Sequence, residues 1–359
     1  MGADLTEQLD RLTALGRELG VSTVVLREQA SLSWLLGCRS HVPQTLDAAC
    51  FDVVVDLVAA TLTVVTNAIE APRLRDTELA DVDAEWTVVP WWEARDAALP
   101  TGPAVAADRP YADVTGAGRQ IAALRRTLTA HQAALLRTVC ADAAAATTAA
   151  AGRISPGTTE YAAAGVLAAE LLERALDPVV LLVAGDARMA AHRHPLPTPE
   201  PLGRRAMLVC CARRHGLIAS VTRTVVFDGV HARERAAYTR LLQVERAFLD
   251  ATAPGARLGD VVAAGTAAYA AHGFDPHEWH RHHQGGFSGW QPREYPAHPG
   301  STDVVPAGSV VAWNPSGDGG KVEDTCLVGP DGPVPLVDDG VWPTVTVGGR
   351  PRPDLLERP

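Results

Sequence analysis

The chain has 359 residues, of which 47% are hydrophobic and 21% charged, and 42 acidic against 32 basic side chains leave a formal charge of −10. That is enough chain for two packed domains, and it is too apolar for a disordered protein. An acidic balance with no Lys/Arg run argues against nucleic acid or anionic membrane as the main partner, because phosphate binding needs clustered positive charge; small molecules or peptides become the expected ligands.

The opening segment MGADLTEQLDRLTALGREL carries acids and polar residues where a secretion signal needs a basic start and an apolar core, and it matches a myristoylation signal poorly. No apolar run approaches the roughly 18 to 20 residues of a membrane span. The six cysteines (38, 50, 140, 210, 211 and 326) form no CxxC pair. A cytoplasmic protein with reduced thiols is expected. Among the basic residues only Lys321 is a lysine; the others are arginines.

In chain order, Leu5, Leu9, Leu12, Leu15 and Leu19 fall at helical spacing and Gly20 stops the pattern, which predicts a helix over 5–19. A buried strand at 21–26 and a strand pair across 51–67 follow. The Pro- and Gly-bearing stretch at 98–110 closes this small α/β region. From 119 the spacing predicts one long helical run through the alanine-rich ADAAAATTAAAG. A Pro-Gly turn at 156 and 157, a helix at 158–176, and strands at 179–184, 206–211 and 217–227 come next. The order then repeats: a helix at 232–250, Pro-Gly at 254 and 255, a helix at 258–271, and strands at 309–313 and 321–328. Two successive runs of helix, Pro-Gly, helix and strands predict a pseudo-symmetric α+β domain.

Four segments fit that frame as motifs: AHRHPLPTPEPL, GLIASVTRTVVFDG, HHQGGFSGWQPRE and VVAWNPSGDGGKVEDTCLV. In them the chain resembles the pita-bread family of Xaa-Pro aminopeptidases, prolidases, methionine aminopeptidases and creatinase. The resemblance implies an α+β fold: a creatinase-type N-terminal α/β domain at 1–118 and a pita-bread, aminopeptidase P-like domain at 119–359. Metallopeptidases of this family hold two divalent ions with two Asp, one His and two Glu. Counted from TRT, the two Asp positions fall on Val209 and Ser220; the His falls on Gly286 and one Glu on Asn314. Only Glu323 of KVED survives. One carboxylate cannot hold two hard divalent ions, so no metal and no cofactor are expected. Creatinase, a metal-free relative, places its catalytic histidine where this chain has His194.

A histidine titrates near neutrality and can both take and give a proton, as C–N hydrolysis requires. His194 is therefore the candidate proton shuttle. In HRHHQGG, His282 and His283 are expected to point opposite ways on a strand, and one of them with Gln284 to form a hydrogen-bonding wall. Gly285, Gly286 and Gly289 read as close backbone packing, since no phosphate-loop spacing is present. Arg293 stands where the peptidases carry a second histidine. With Glu294 it makes either a structural pair or, alone, a clamp for a substrate carboxylate. Lys321 and Glu323, two apart, share a face. Lys321 is either an ion-pair partner for Glu323 or a proton donor or nucleophile, roles closed to arginine. Glu323 and Glu294 would orient His194 or hold a substrate ammonium. Asn314 would line the pocket. Creatinase-type dimers bring an arginine of the N-terminal domain to the partner's site, and Arg39 is the candidate here.

These readings lead to a metal-independent, creatinase-like enzyme, a homodimer acting on a small amino-acid-derived substrate by acid/base chemistry, with C–N bond hydrolysis as the expected reaction and specialised biosynthesis as a fitting context. The same groups would serve a lyase, dehydratase, isomerase or cyclase. A different class of answer is an inactive pita-bread domain that binds a peptide or protein, as in a eukaryotic histone chaperone.

Overall fold

A computed structural model describes residues 2–42 and 44–359. The chain forms two compact units, the first running to Arg125 and the second spanning Arg126–Pro359. The short helix Gly118–Leu124 thus belongs to the first unit.

In the first unit the predicted helix runs Gly2–Leu19, buries Leu12 and Leu15, and ends at Gly20, whose φ of +70° is the left-handed stop a glycine supplies. A six-stranded sheet follows, in the order Glu85–Val89, Thr61–Asn67, Ala48–Asp56, Thr23–Glu28, Val105–Ala107 and Thr115–Gly116. Its two central pairings are antiparallel; the outer pairing at the Glu85–Val89 edge and the two at the Thr115–Gly116 edge are parallel. Helix Gln29–Leu36 escapes sequence reading because all eight residues are buried, so no polar face marks its period.

The second unit carries the pseudo-symmetric plan. The predicted single run from 119 is broken: Thr129 starts a new helix, Ala130–Arg153, through a capping box with Gln132 (3.0 and 3.1 Å), and a capped start ends whatever precedes it. Alanines 143, 146 and 150 are wholly buried on this helix, and their small side chains let it lie close on strand Leu217–Phe227. Thr159 caps the next helix, Glu160–Glu173. The main sheet runs Gly285–Phe287, Val310–Trp313, Glu323–Gly329, Leu217–Phe227, Arg205–Arg214 and Asp177–Gly185. Three strands follow the helix pair Ala130–Arg153 and Glu160–Glu173, and three follow Ala232–Ala251 and Leu258–Ala271. The halves join where Glu323 and Asp324 pair with Thr222 and Val221. The strand expected at 321–328 is interrupted: Gly320–Lys321 pairs with Ser316–Gly317 as a small hairpin, and the sheet strand starts at Glu323.

On one face of the central pair, Arg223 meets Asp324 at 2.6 Å, Asp324 meets Arg352 at 3.0 Å, and Arg352 meets Glu245 at 2.7 Å. This buried network ties the late strand Arg350–Pro353 to helix Ala232–Ala251. Removing any one partner would leave a buried charge unanswered.

All six cysteines are unpaired thiols; five are buried and Cys50 is half-buried. Burial raises every one of them, Cys211 to about 11 and Cys210 and Cys326 to about 12. Ellman's reagent at neutral pH should therefore titrate at most about one thiol in the native protein, and the rest only after unfolding, since the thiolate is the reacting form. Rapid reaction of three or more would contradict this packing. No helix of the described residues is long and apolar enough to cross a membrane.

Candidate active site

Cross-strand register places the site. Val209 faces Thr222, which faces Glu323, while Cys211 faces Ser220. Gly286 faces Ala312, which faces Thr325. Because alternate residues share a face, Val209, Ser220, Gly286, Asn314 and Glu323 all lie on one side of the sheet, opposite the Arg223–Asp324 network. The residues present there offer a single carboxylate. A histidine would not fit at Gly286: its φ is +141°, and an added Cβ would sit 3.0 Å from both the Ala297 nitrogen and the Tyr295 carbonyl oxygen. Gly285 is equally closed, with the Ala312 carbonyl in the space of a side chain.

Glu323 is buried and fully engaged. Its Oε1 accepts from Arg293 Nη2 at 2.8 Å, and its Oε2 from Lys321 Nζ at 2.9 Å and Thr222 Oγ1 at 3.3 Å. Burial pushes such a carboxyl up, but Lys321 and Arg293 outweigh it and hold Glu323 at about 2. Of the two roles expected for Lys321, the structure shows the ion pair. Glu323 meets neither His194 nor open space, so the expectation that it orients His194 or receives a substrate ammonium is corrected: two cations take both of its oxygens. Arg293 also donates Nη1 to the Ala312 carbonyl at 2.7 Å and is paired with Glu323 rather than with its neighbour Glu294, whose backbone N–H donates to Phe287.

Beside this triad three imidazoles converge. His194 is exposed in the loop after the short helix Asp186–Ala191, His282 is buried, and His283 is half-buried. His282 Nε2 lies 3.1 Å from His194 Nε2, and its Nδ1 lies 3.1 Å from Ser316 Oγ. The expected opposition of His282 and His283 fails. They precede the strand Gly285–Phe287, follow a tight turn at Glu278–Arg281, and so do not alternate; their ring centres are 4.8 Å apart and lie 4.9 and 5.4 Å from that of His194. Burial, then Lys321, lowers His282 to about 2; burial, then Arg293, lowers His283 to about 4. Burial and then Lys321 also lower His194. All three are neutral at pH 7, with lone pairs available.

Gln284 does not line the pocket. It is 2% exposed, accepts from Tyr269 Oη at 2.7 Å and donates to the His282 carbonyl at 2.6 Å, so it fixes the backbone that aims His282. Asn314 is 1% exposed and its Oδ1 has no partner among the described residues. Arg39 lies in the first unit, ion-paired with Glu78 at 2.6 Å. Sequence reasoning missed Ser316 and Thr222. Ser316 stands inside the WNPS segment already singled out, and Thr222 opens TRT, so each was a polar residue in a marked motif.

The family's two ions do not fit one carboxylate already bound by two cations. The three histidines present ring nitrogens within 4.8 Å of one another, the ligand type of a zinc site. Tetrahedral zinc at about 2.1 Å from each nitrogen would set them about 3.4 Å apart. The His194–His282 separation is accounted for by a shared proton, and Lys321 plus Arg293 against Glu323 leave one positive charge beside the rings, which favours an anion over a cation. Calorimetric titration of chelator-treated protein with Zn²⁺ or Mn²⁺ should show no site tighter than about 10 μM; a stoichiometric site below that would reverse this electrostatic reading.

A compact α/β unit followed by two strand halves joined at a central pair is the pita-bread architecture. The sequence profile of metallopeptidase family M24 matches residues 134–330, and the chain belongs to that family. Among curated proteins it is similar to the putative dipeptidase YkvY of Bacillus subtilis, 29% identical over 129 residues, a match spanning 34% of each chain. Among solved structures it is similar to a prolidase of Pyrococcus horikoshii (15% identity, 92% of this chain and 98% of that one, TM-score 0.78). It is also similar to the dipeptidase PepE of Mycobacterium ulcerans (19% identity, 99% and 98%, TM-score 0.77). These likenesses extend the fold to the N-terminal unit.

Proposed function

We propose that this chain is a hydrolase that cleaves a C–N bond in a small amino-acid-derived amide or amidine with side-chain acid/base groups in place of the family's metal centre. Membership of a peptidase family and likeness to proteins described as dipeptidases and prolidases support an amino-acid-derived substrate. The observation that carries the chemistry is the His194–His282–Ser316 chain of 3.1 Å contacts beside a triad with one net positive charge.

In the tautomer that leaves Nδ1 of His194 open, its Nε2–H is donated to His282, whose Nδ1–H is donated to Ser316 Oγ. His194 Nδ1 then takes a proton from water as the oxygen attacks the scissile carbon. The negative charge growing on the substrate is met by the surplus charge of Lys321 and Arg293, which is already in place and needs no reorganisation. His194 returns the proton to the departing nitrogen, so one water is consumed; an amide releases an acid and an amine, and an amidine releases an amide and an amine. Asn314 Oδ1 accepts from a substrate N–H. In a homodimer, Arg39 of one protomer would reach the partner's site and hold a carboxylate.

The test is to incubate chelator-treated protein with a panel of dipeptides, acylated amino acids and amidino acids and to follow products by mass spectrometry. Turnover that persists with chelator is the expected result. Turnover that appears only on adding a divalent ion, or none across the panel with pure folded protein, overturns the reading; the second outcome is what a binding-only domain would give.

A further inference from the structure

A separate cavity of about 600 Å³ opens in the second unit, large enough for a small organic molecule. Among the described residues that line it are five arginines: 193, 205, 233, 240 and 281. The acids in its wall are Glu234, Glu278 and Asp318, so the lining carries more positive than negative charge in a chain whose total is −10. Glu278 is shared: Arg193 and Arg281 both bond its buried carboxylate, and Arg281 also lies 3.9 Å from Asp275. Arg240 pairs with Asp318 at 2.7 Å, and Arg205 with Asp186 and, at 3.5 Å, with Glu234. Arg233 makes no ion pair among the described residues and is exposed.

A second observation points the same way. Thr224, 4% exposed, lines this cavity, and its hydroxyl has no hydrogen-bond partner among the described residues. A buried hydroxyl without a partner is destabilising, and a ligand oxygen would supply the missing bond. Thr224 follows Thr222 by two on one strand and so faces the same side as the site at Glu323. The cavity also shares its walls with the site: Arg193 precedes His194, Gly320 precedes Lys321, and Gly317 follows Ser316.

We infer that this cavity is a binding site for a small phosphorylated molecule. Guanidinium groups reaching in from separate segments of the chain, with a hydroxyl among them, suit a tetrahedral oxyanion that accepts from several directions; a planar carboxylate is satisfied by one fork. The site is independent of the hydrolytic chemistry and adjoins it.

Inorganic pyrophosphate is the probe, titrated calorimetrically into the full chain at low salt. Binding in the range of about 10 μM to 1 mM is expected, weakening as salt rises. Arg233→Glu, an exposed unpaired position whose replacement leaves folding intact, should weaken it at least about tenfold, a loss of roughly 1.4 kcal/mol. Thr224→Val should weaken it about three- to fivefold, as loss of one hydrogen bond does. His194→Ala should leave it unchanged, so this site and the hydrolytic reading fail separately. No binding at 10-fold above that range, equal affinity in Arg233→Glu, or tighter binding of citrate than of pyrophosphate would each overturn the inference.

Discussion

His194→Ala is expected to lower turnover by about 10²- to 10⁴-fold, the usual contribution of a positioned acid/base group, with the circular dichroism spectrum and thermal midpoint nearly unchanged. The side chain is partly exposed and among the described residues hydrogen-bonds only His282, so its removal opens no closed cavity. Ser316→Ala acts through His282 and should have a smaller effect on kcat, with KM close to that of the unaltered chain. The pH profile separates a proton carrier from a structural residue. Burial and Lys321 hold His194 below the usual histidine range, so the base is present at pH 7 and kcat should fall only as the pH drops through that lowered value. Lys321→Met removes one of the causes and should move the acid limb upward. An acid limb in the same place in both forms, or full activity in His194→Ala, would remove His194 from the chemistry.

Glu323→Gln is expected to destabilise the second unit by roughly 3–5 kcal/mol, lowering its thermal midpoint by roughly 10 °C, because buried Lys321 and half-buried Arg293 lose their shared counter-charge. Adding Lys321→Met to that variant should restore part of the loss, as the unpaired charge then falls from two to one. The wild-type protein carries the same information in its acid response. The carboxyl sits at about 2 when folded and 4.5 when unfolded, so its contribution, on the order of 3 kcal/mol, is complete above 4.5 and disappears as the pH falls through about 2. His282 and His283 start the loss earlier. Their folded values of about 2 and about 4 lie below the ordinary 6.5, so the unfolded chain binds more protons and stability declines as the pH falls below 6.5. Urea midpoints at pH 7.0 and 5.5 should therefore differ, and His283→Asn should flatten the difference. A neutral Glu323→Gln variant with an unchanged acid response would mean that the triad is not a closed buried unit.

Elements with a strong apolar signal were legible in the sequence: the leucine stripe of Gly2–Leu19, the long apolar, β-branched runs that became Arg205–Arg214 and Leu217–Phe227, and the repeat that became two sheet halves. A short helix with no polar face and strands of two residues were not, as with Gln29–Leu36 and the hairpin of Ser316–Gly317 and Gly320–Lys321. The break before Ala130 was signalled by Thr129 and Gln132, but an unbroken apolar period through alanine masked it.

The site divides in the same way. Sequence alone determined which residue types stand on the metal-bearing face, that a single carboxylate remains there, and that one lysine lies two residues from it, because motif spacing fixes identity and strand period fixes the shared face. Only the tertiary structure decided who meets whom. It turned His282 and His283 toward His194 instead of apart, since a tight turn and not a strand precedes Gly285. It closed Glu323 between Lys321, two positions away, and Arg293, 30 positions away, and it set Gln284 to hold backbone instead of lining a pocket. Side-chain direction in loops and the sharing of one charge by two partners depend on distances through space, and no local spacing rule encodes them.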